Sequence, residues 1–153
     1  MRVVVVGRSG QLARSLLERG SNCDAQVVAL GRPALDLARP ATVREALTDA
    51  AGDVIVNAAA YTAVDQAESE PDLAHLINAE GAATVAQTAR ELGVPLIHIS
   101  TDYVFDGRKP APYIETDPVA PINHYGESKL AAEVAVRAIT PRHAIVRTAW
   151  VYS

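Results

Sequence analysis

Apolar residues follow two alternating rhythms along the chain. Val3 to Val6, Ala25 to Leu30, Asp53 to Val56, Val94 to Ile99 and Ala144 to Thr148 are short apolar runs, most of them rich in β-branched residues. That is the pattern of strands covered on both faces. Between them, Gln11 to Arg19, Ala41 to Ala50, Asp72 to Leu92 and roughly Tyr125 to Ile139 read as helices, and in the last two apolar positions recur at three and four. Pro40, Pro71, Pro95 and Pro141 stand at the boundaries, where a missing amide donor does least harm. Parallel strands need crossover helices, so the alternation predicts an α/β fold, a doubly wound parallel sheet with helices on both faces and no internal repeat. One segment breaks the rhythm. Asp106 to Asn123 carries four prolines among polar residues and reads as a long loop, ordered or mobile, either functional or a tolerated surface excursion.

Composition narrows the possibilities. A chain of 153 residues, 49% hydrophobic and 21% charged, suits one domain with its own core. Its 28 alanines let helices approach the sheet closely, and only seven aromatic residues serve the core. The net charge of −4, with no run of lysine or arginine, argues against nucleic acid and anionic membrane surfaces as partners. No apolar stretch reaches the roughly 18 residues of a membrane span. Met1 to Val6 runs directly into a glycine loop, so no signal peptide is expected. The single cysteine, Cys23, excludes an internal disulfide and a cysteine-built zinc site and suits a reducing cytoplasm. His75, His98, His124 and His143 are scattered without ligand spacing, so no metal is expected.

Three constellations carry candidate chemistry. The first strand ends in Gly7-Arg8-Ser9-Gly10-Gln11-Leu12-Ala13 and passes at once into a helix. Gly7 allows the tight turn, Gly10 lets a pyrophosphate approach the backbone, and Ala13 permits close helix packing; the alternative is a purely structural turn. After the second strand, where an acidic residue would take ribose hydroxyls, stand Gly31 and Arg32. Arginine suits a 2′-phosphate, so NADPH is expected over NADH, with Arg8 adding to the site; otherwise Arg32 is a solvated surface charge. Asp36 is a candidate for the adenine edge. After the third strand, Asn57 to Thr62 offers small side chains that leave room for a flat ligand, while Thr62 and Asp65 fit a helix-capping box. Asp65, Glu68 and Glu70 precede Pro71 at a helix start, where a solvated structural role is expected.

The sharpest signal is Tyr125-Gly126-Glu127-Ser128-Lys129 on a predicted helix, together with Ser100-Thr101-Asp102 at a strand end. Four residues apart, the phenol and the ammonium share one helix face. A phenol titrates near about 10 in water, and an adjacent ammonium is expected to lower that value and let Tyr125 exchange a proton near neutral pH. Thr101 would hold the substrate oxygen, and Lys129 would also reach the nicotinamide ribose. An isolated pair of this spacing is more often a solvated helix face. Asn78 lies within a helix, able to donate to nearby backbone, with its role open. Trp150 is expected beside the ligand crevice.

On these residues the chain resembles the extended short-chain dehydrogenase/reductase superfamily, and most nearly its dTDP-4-dehydrorhamnose reductases. The likeness lies in VIVNAAAYTAVDQAESEP (Val54 to Pro71), STDYVFDG (Ser100 to Gly107), ETDPVAPINHYGESKLAAE (Glu115 to Glu133) and RTAWVYS (Arg147 to Ser153). The resemblance implies a Rossmann-type NAD(P)-binding domain over residues 1–153, lacking most of the family's C-terminal substrate domain. It implies reduction of the 4-keto group of dTDP-4-dehydro-6-deoxy-L-mannose to dTDP-L-rhamnose, with Thr101, Tyr125 and Lys129 as the catalytic trio. By the same resemblance Gly10, Gln11, Leu12, Asp36, Leu37, Ala60, Tyr61 and Thr62 contact the dinucleotide, and Asp102 and Trp150 approach the sugar. Some members dimerise through a metal held by an acidic residue of the first helix. Arg14 and Ser15 occupy that neighbourhood here, so the metal is not implied, and homo-oligomerisation is left open. A ketoreductase for another deoxysugar, or a non-catalytic dinucleotide-binding subunit, are the alternative readings.

Overall fold

The computed structural model describes residues 1–151, with Ser21 described by its backbone only; the last two residues of the RTAWVYS motif lie outside the described residues. Five strands form one sheet: β1 (Arg2–Val6), β2 (Gln26–Leu30), β3 (Val54–Asn57), β4 (Leu96–Thr101) and β5 (His143–Thr148). Their order is β2-β1-β3-β4-β5 and every pairing is parallel, with Val6 opposite both Leu30 and Asn57 and Thr101 opposite Thr148. The order reverses at β1 and β3, so the crevice beyond their carboxyl ends is the topological switch point where such sheets take ligands.

The crossovers are α1 (Gln11–Gly20), α2 (Pro40–Ala50), the short α3 (Val64–Ala67) and α4 (Pro71–His75), α5 (Gly81–Leu92) and α6 (His124–Ile139). Val4, Val6, Ile55 and Leu96 meet Val43 and Leu47 of α2, Val85, Ala86 and Ala89 of α5 and Val136 of α6 on one face. On the other face Val5 and Val56 pack against Ala13 and Leu16 of α1. The doubly wound arrangement read from the alternation is therefore present. Small helix side chains do bring the helices close, as Ala13, Ala86 and Ala89 are essentially fully buried.

Two sequence expectations need correction. The single helix expected over 72–92 is α4 and α5 joined by a π segment, Leu76–Glu80, whose wider turn inserts one residue and turns Asn78 and Ala79 into the interior. The capping box expected at Thr62 and Asp65 does not form: α3 begins at Val64 after Ala63, with no side-chain cap. The backbone enters the helical path one residue later than the box requires.

The proline-rich loop is ordered by its own side chains. Phe105 stacks on Tyr113 at 4.1 Å between ring centroids, and the Tyr113 hydroxyl donates to Asp106 at 2.8 Å. Lys109 pairs with Asp117 at 2.5 Å. At the opposite end of the sheet from the crevice, two arginines cross-brace the returning turns. Arg90 donates to the Ile139 carbonyl at 3.2 Å, and Arg142 donates to the Gly93 carbonyl.

Candidate active site

The carboxyl ends of β1, β3 and β4 and the start of α6 bring most of the candidate residues to one region. Gly7 adopts φ +119°, and a Cβ there would lie 3.3 Å from the Ala59 amide nitrogen, so only glycine lets the β1 turn pass the loop after β3. A Cβ at Gly10 would meet nothing within 4 Å. The loop therefore opens a cradle at the amino end of α1, where unpaired amides and the helix dipole favour an anion. Gln11 is exposed and Leu12 half-buried on the first turn of α1, and Ala58 to Ala60 are half-buried beyond β3. Arg8 and Arg32 are both exposed beside this cradle, and Gly31 packs closely under the Arg8 side chain.

Asp36 and Leu37 serve the fold locally. The Asp36 carboxylate accepts from the Ala38 amide at 3.0 Å, its own amide donates to Thr42 Oγ1 at 3.0 Å, and Leu37 is buried. Thr62 is exposed. Trp150, with φ +50°, is 92% exposed, so its ring lies open to solvent in this chain.

Thr101, Tyr125 and Lys129 are brought together and buried, at 6%, 8% and 3% exposure. Asn123 caps α6, its side chain accepting from the Gly126 amide at 2.7 Å, which fixes where the helix begins and hence where Tyr125 points. A side chain at Gly126 would collide with the Tyr103 carbonyl oxygen, so glycine lets α6 rest on the turn after β4. The Tyr103 ring stands edge-on to Tyr125, centroids 5.5 Å apart at 78°. Tyr61 and Val64 pack on the same cluster with Ala67 and Ala74.

The polar surroundings are specific. The Thr101 hydroxyl lies near the Tyr125 phenol; it donates to Asp102 at 3.1 Å and accepts from the Tyr103 amide at 3.3 Å. Asn78, which periodicity alone left open, donates to the Tyr61 carbonyl at 3.0 Å and to Ser128 Oγ at 2.9 Å, and accepts from the Tyr61 amide at 2.7 Å. Ser128 donates to the Tyr125 carbonyl at 2.7 Å. The acidic residues before and within α4's approach are not merely solvated: Glu70 accepts from the Tyr61 hydroxyl at 2.6 Å, and Glu68 from the His124 amide at 2.9 Å.

The expected acidified phenol is not found. Burial pushes the Tyr125 phenol up, the Asp102 charge and Tyr103 add to that, and only the hydrogen bond with Thr101 opposes it. The Lys129 ammonium donates instead to the Ile99 carbonyl at 2.7 Å, and burial lowers it to about 8. Sequence spacing places phenol and ammonium on one helix face but cannot report burial, which here outweighs their proximity. Spacing also gave no sign of Glu133, a fully buried carboxylate one turn beyond Lys129. Its signal was a charged residue at a position that continues the inward face of the helix.

Among the described residues no group of three or more His, Cys, Asp or Glu could hold a metal ion, and no helix is long and apolar enough to cross a membrane.

Comparison with known proteins agrees with this architecture. The chain is 52% identical over its whole length to the dTDP-4-dehydrorhamnose reductase of Sinorhizobium fredii, of which it covers 51%. Two crystal structures of proteins described as dTDP-4-dehydrorhamnose reductases match 99% of this chain and 54% of their own. One, from Clostridium acetobutylicum, has a TM-score of 0.95 at 38% identity, and the other, from Bacillus anthracis in complex with NADP, has 0.94 at 41%. The chain thus spans about half the length of the curated relatives it matches. The family described as the RmlD substrate binding domain matches residues 1–153, and the chain belongs to that family.

Proposed function

We propose that residues 1–153 form the NAD(P)-binding domain of an NADPH-dependent ketoreductase that reduces the 4-keto group of dTDP-4-dehydro-6-deoxy-L-mannose to give dTDP-L-rhamnose. The observation that carries this reading is the convergence of Thr101, Tyr125 and Lys129, all three buried, at the carboxyl end of β4. The relatives supply the rest: the most similar carry the reductase's name, and the Bacillus anthracis structure holds NADP.

The residues present fit a dinucleotide. Open space over Gly10 at the amino end of α1 suits the pyrophosphate, with Gly7, Gln11 and Leu12 forming the turn, and Arg32 with Arg8 suits a 2′-phosphate. Ala60, Tyr61 and Thr62 border the same crevice, and Asp36 and Leu37 lie toward the adenine side. The bound dinucleotide supplies the hydride that adds to the carbonyl carbon.

The chain's own residues manage the oxygen and the proton. Tyr125, whose phenol burial keeps protonated at neutral pH, donates its proton to the carbonyl oxygen, which suits the reducing direction. Thr101 orients that oxygen from the other side. Lys129 holds the nicotinamide ribose, and Asp102 and Trp150 meet the sugar. The cofactor is NADPH, with NADH as the slower alternative, and the partner is a nucleotide sugar.

Replacing Tyr125 with phenylalanine tests the reading. NADPH affinity, followed by the cofactor's own fluorescence, stays within about twofold, while turnover of the keto sugar falls by about 10³-fold. Turnover retained in Tyr125→Phe rejects the assignment, and failure of the unaltered chain to bind either NADPH or NADH rejects the dinucleotide site itself.

A further inference from the structure

Glu133 is fully buried on α6, one turn beyond Lys129 and two beyond Tyr125. Its carboxylate is saturated. Oε1 accepts from Ser100 Oγ at 2.6 Å and Arg147 Nε at 2.9 Å, and Oε2 accepts from Arg147 Nη2 at 2.7 Å and Arg137 Nη2 at 2.9 Å. These donors hold the acid ionised, below the ordinary carboxylate range, in spite of burial. A well-packed apolar residue in place of such a buried ion pair is often as stable or more so, so stability alone gives little reason for the charge. Its connections are to the reacting groups. Ser100 precedes Thr101 at the end of β4, and the Glu133 charge acts on the Lys129 ammonium from the same helix face.

We propose that Glu133 is a positioning residue of this site, whose buried carboxylate pins the end of β4 beside Thr101 to α6 and places a negative charge one helical turn from Lys129. Its catalytic meaning rests on the ketoreductase reading; the coupling itself does not.

The groups facing Glu133 can be named element by element. α6 contributes Lys129 and Arg137, β4 contributes Ser100 and His98, and β5 contributes Arg147, which is in turn faced by Glu115. Burial holds His98 down at about 3, and Glu133 raises Arg147 above its usual value. Of the groups for which these interactions set the charge, Lys129 is therefore the one that titrates between pH 6 and 10.

The chain contains only two lysines, Lys109 and Lys129, so ¹³Cε-lysine labelling gives two resolvable signals in the intact chain, with Lys109 as an internal control. In the unaltered chain the Lys129 signal titrates with a midpoint near 8. E133Q moves that midpoint to lower pH while Lys109 stays in place, and E133D, which retains the charge, returns it toward the original value. A purely structural role would make E133Q and E133D behave alike. A folded E133Q with an unmoved Lys129 midpoint, or an E133D displaced as far as E133Q, overturns the proposal. If E133Q fails to fold, the paired replacement E133Q/R147M leaves no guanidinium buried opposite a neutral amide. R147M alone measures the effect of the lost guanidinium, and the midpoint of the paired variant lies below that of R147M; coincidence of the two is equally fatal. NADPH titration of the unaltered chain on the same samples keeps the two questions apart: absent binding with a displaced midpoint in E133Q removes the ketoreductase reading and supports the coupling.

Discussion

The side-chain amide of Asn78, on the π segment, donates to Ser128 Oγ of α6 across 2.9 Å. Because Ser128 sits between Tyr125 and Lys129, this bond braces the helix that carries them against the loop carrying Tyr61. Asn78→Ala removes three hydrogen bonds at a 2% exposed position and leaves the Tyr61 amide and carbonyl without their partner. The expected loss is about 2 to 4 kcal/mol in urea unfolding. NADPH affinity falls with it, as the Tyr61 loop borders the cofactor crevice.

Gly10 and Gly7 separate binding from folding. Gly10→Ala meets no atom within 4 Å, so its unfolding free energy in urea is expected to stay within about 0.5 kcal/mol of the original. On the proposed dinucleotide site its added methyl would meet the pyrophosphate, so NADPH Kd is expected to rise about tenfold or more. Gly7→Ala, at φ +119°, loses about 1–3 kcal/mol of stability before any ligand is added.

Arg32→Ala tests the choice between the two dinucleotides. Losing a charge-assisted contact to the 2′-phosphate raises the NADPH Kd about five- to tenfold and leaves the NADH Kd unchanged. Equal effects on both cofactors would assign Arg32 to the solvated surface.

His98 gives the fold a defined weakness toward acid. It is 1% exposed, and Asn57 Nδ2 lies 3.2 Å from its Nδ1. Burial, with help from the Lys129 charge, lowers it from 6.5 to about 3. Between those values the unfolded chain binds the proton and the folded chain does not, so stability falls as pH drops through 6.5 toward 3, by about 5 kcal/mol in all. His98→Leu flattens that part of the urea-midpoint profile, whereas an unchanged slope would place the acid sensitivity elsewhere.

What the sequence disclosed depended on the range of the interaction behind each feature. Strands and crossovers were legible because covered β-strands and amphipathic helices write their periods locally, and observed bounds for Val3–Val6 or Ala41–Ala50 differ by one residue. The Tyr125 and Lys129 pair was legible because four residues is one helical turn. The π segment was not, since one extra residue in a 21-residue apolar pattern leaves the average period almost unaltered, yet it decides that Asn78 reaches Ser128. Nor was the high Tyr125 pKa, which comes from Asp102, Tyr103 and burial, set by residues more than twenty positions away. The loop after Phe105 could be located from its prolines, but its Lys109–Asp117 and Tyr113–Asp106 ties could not.

The arginine cross-braces at Ile139 and Gly93 sit at the pole of the sheet opposite the crevice. A parallel sheet thereby divides its labour by direction: one rim holds the fold together and the other leaves its strand ends open. Substitutions at Arg90 and Arg142 are expected to shift melting temperature while leaving the residues around the crevice in place, so heat tolerance can evolve apart from the crevice on one scaffold.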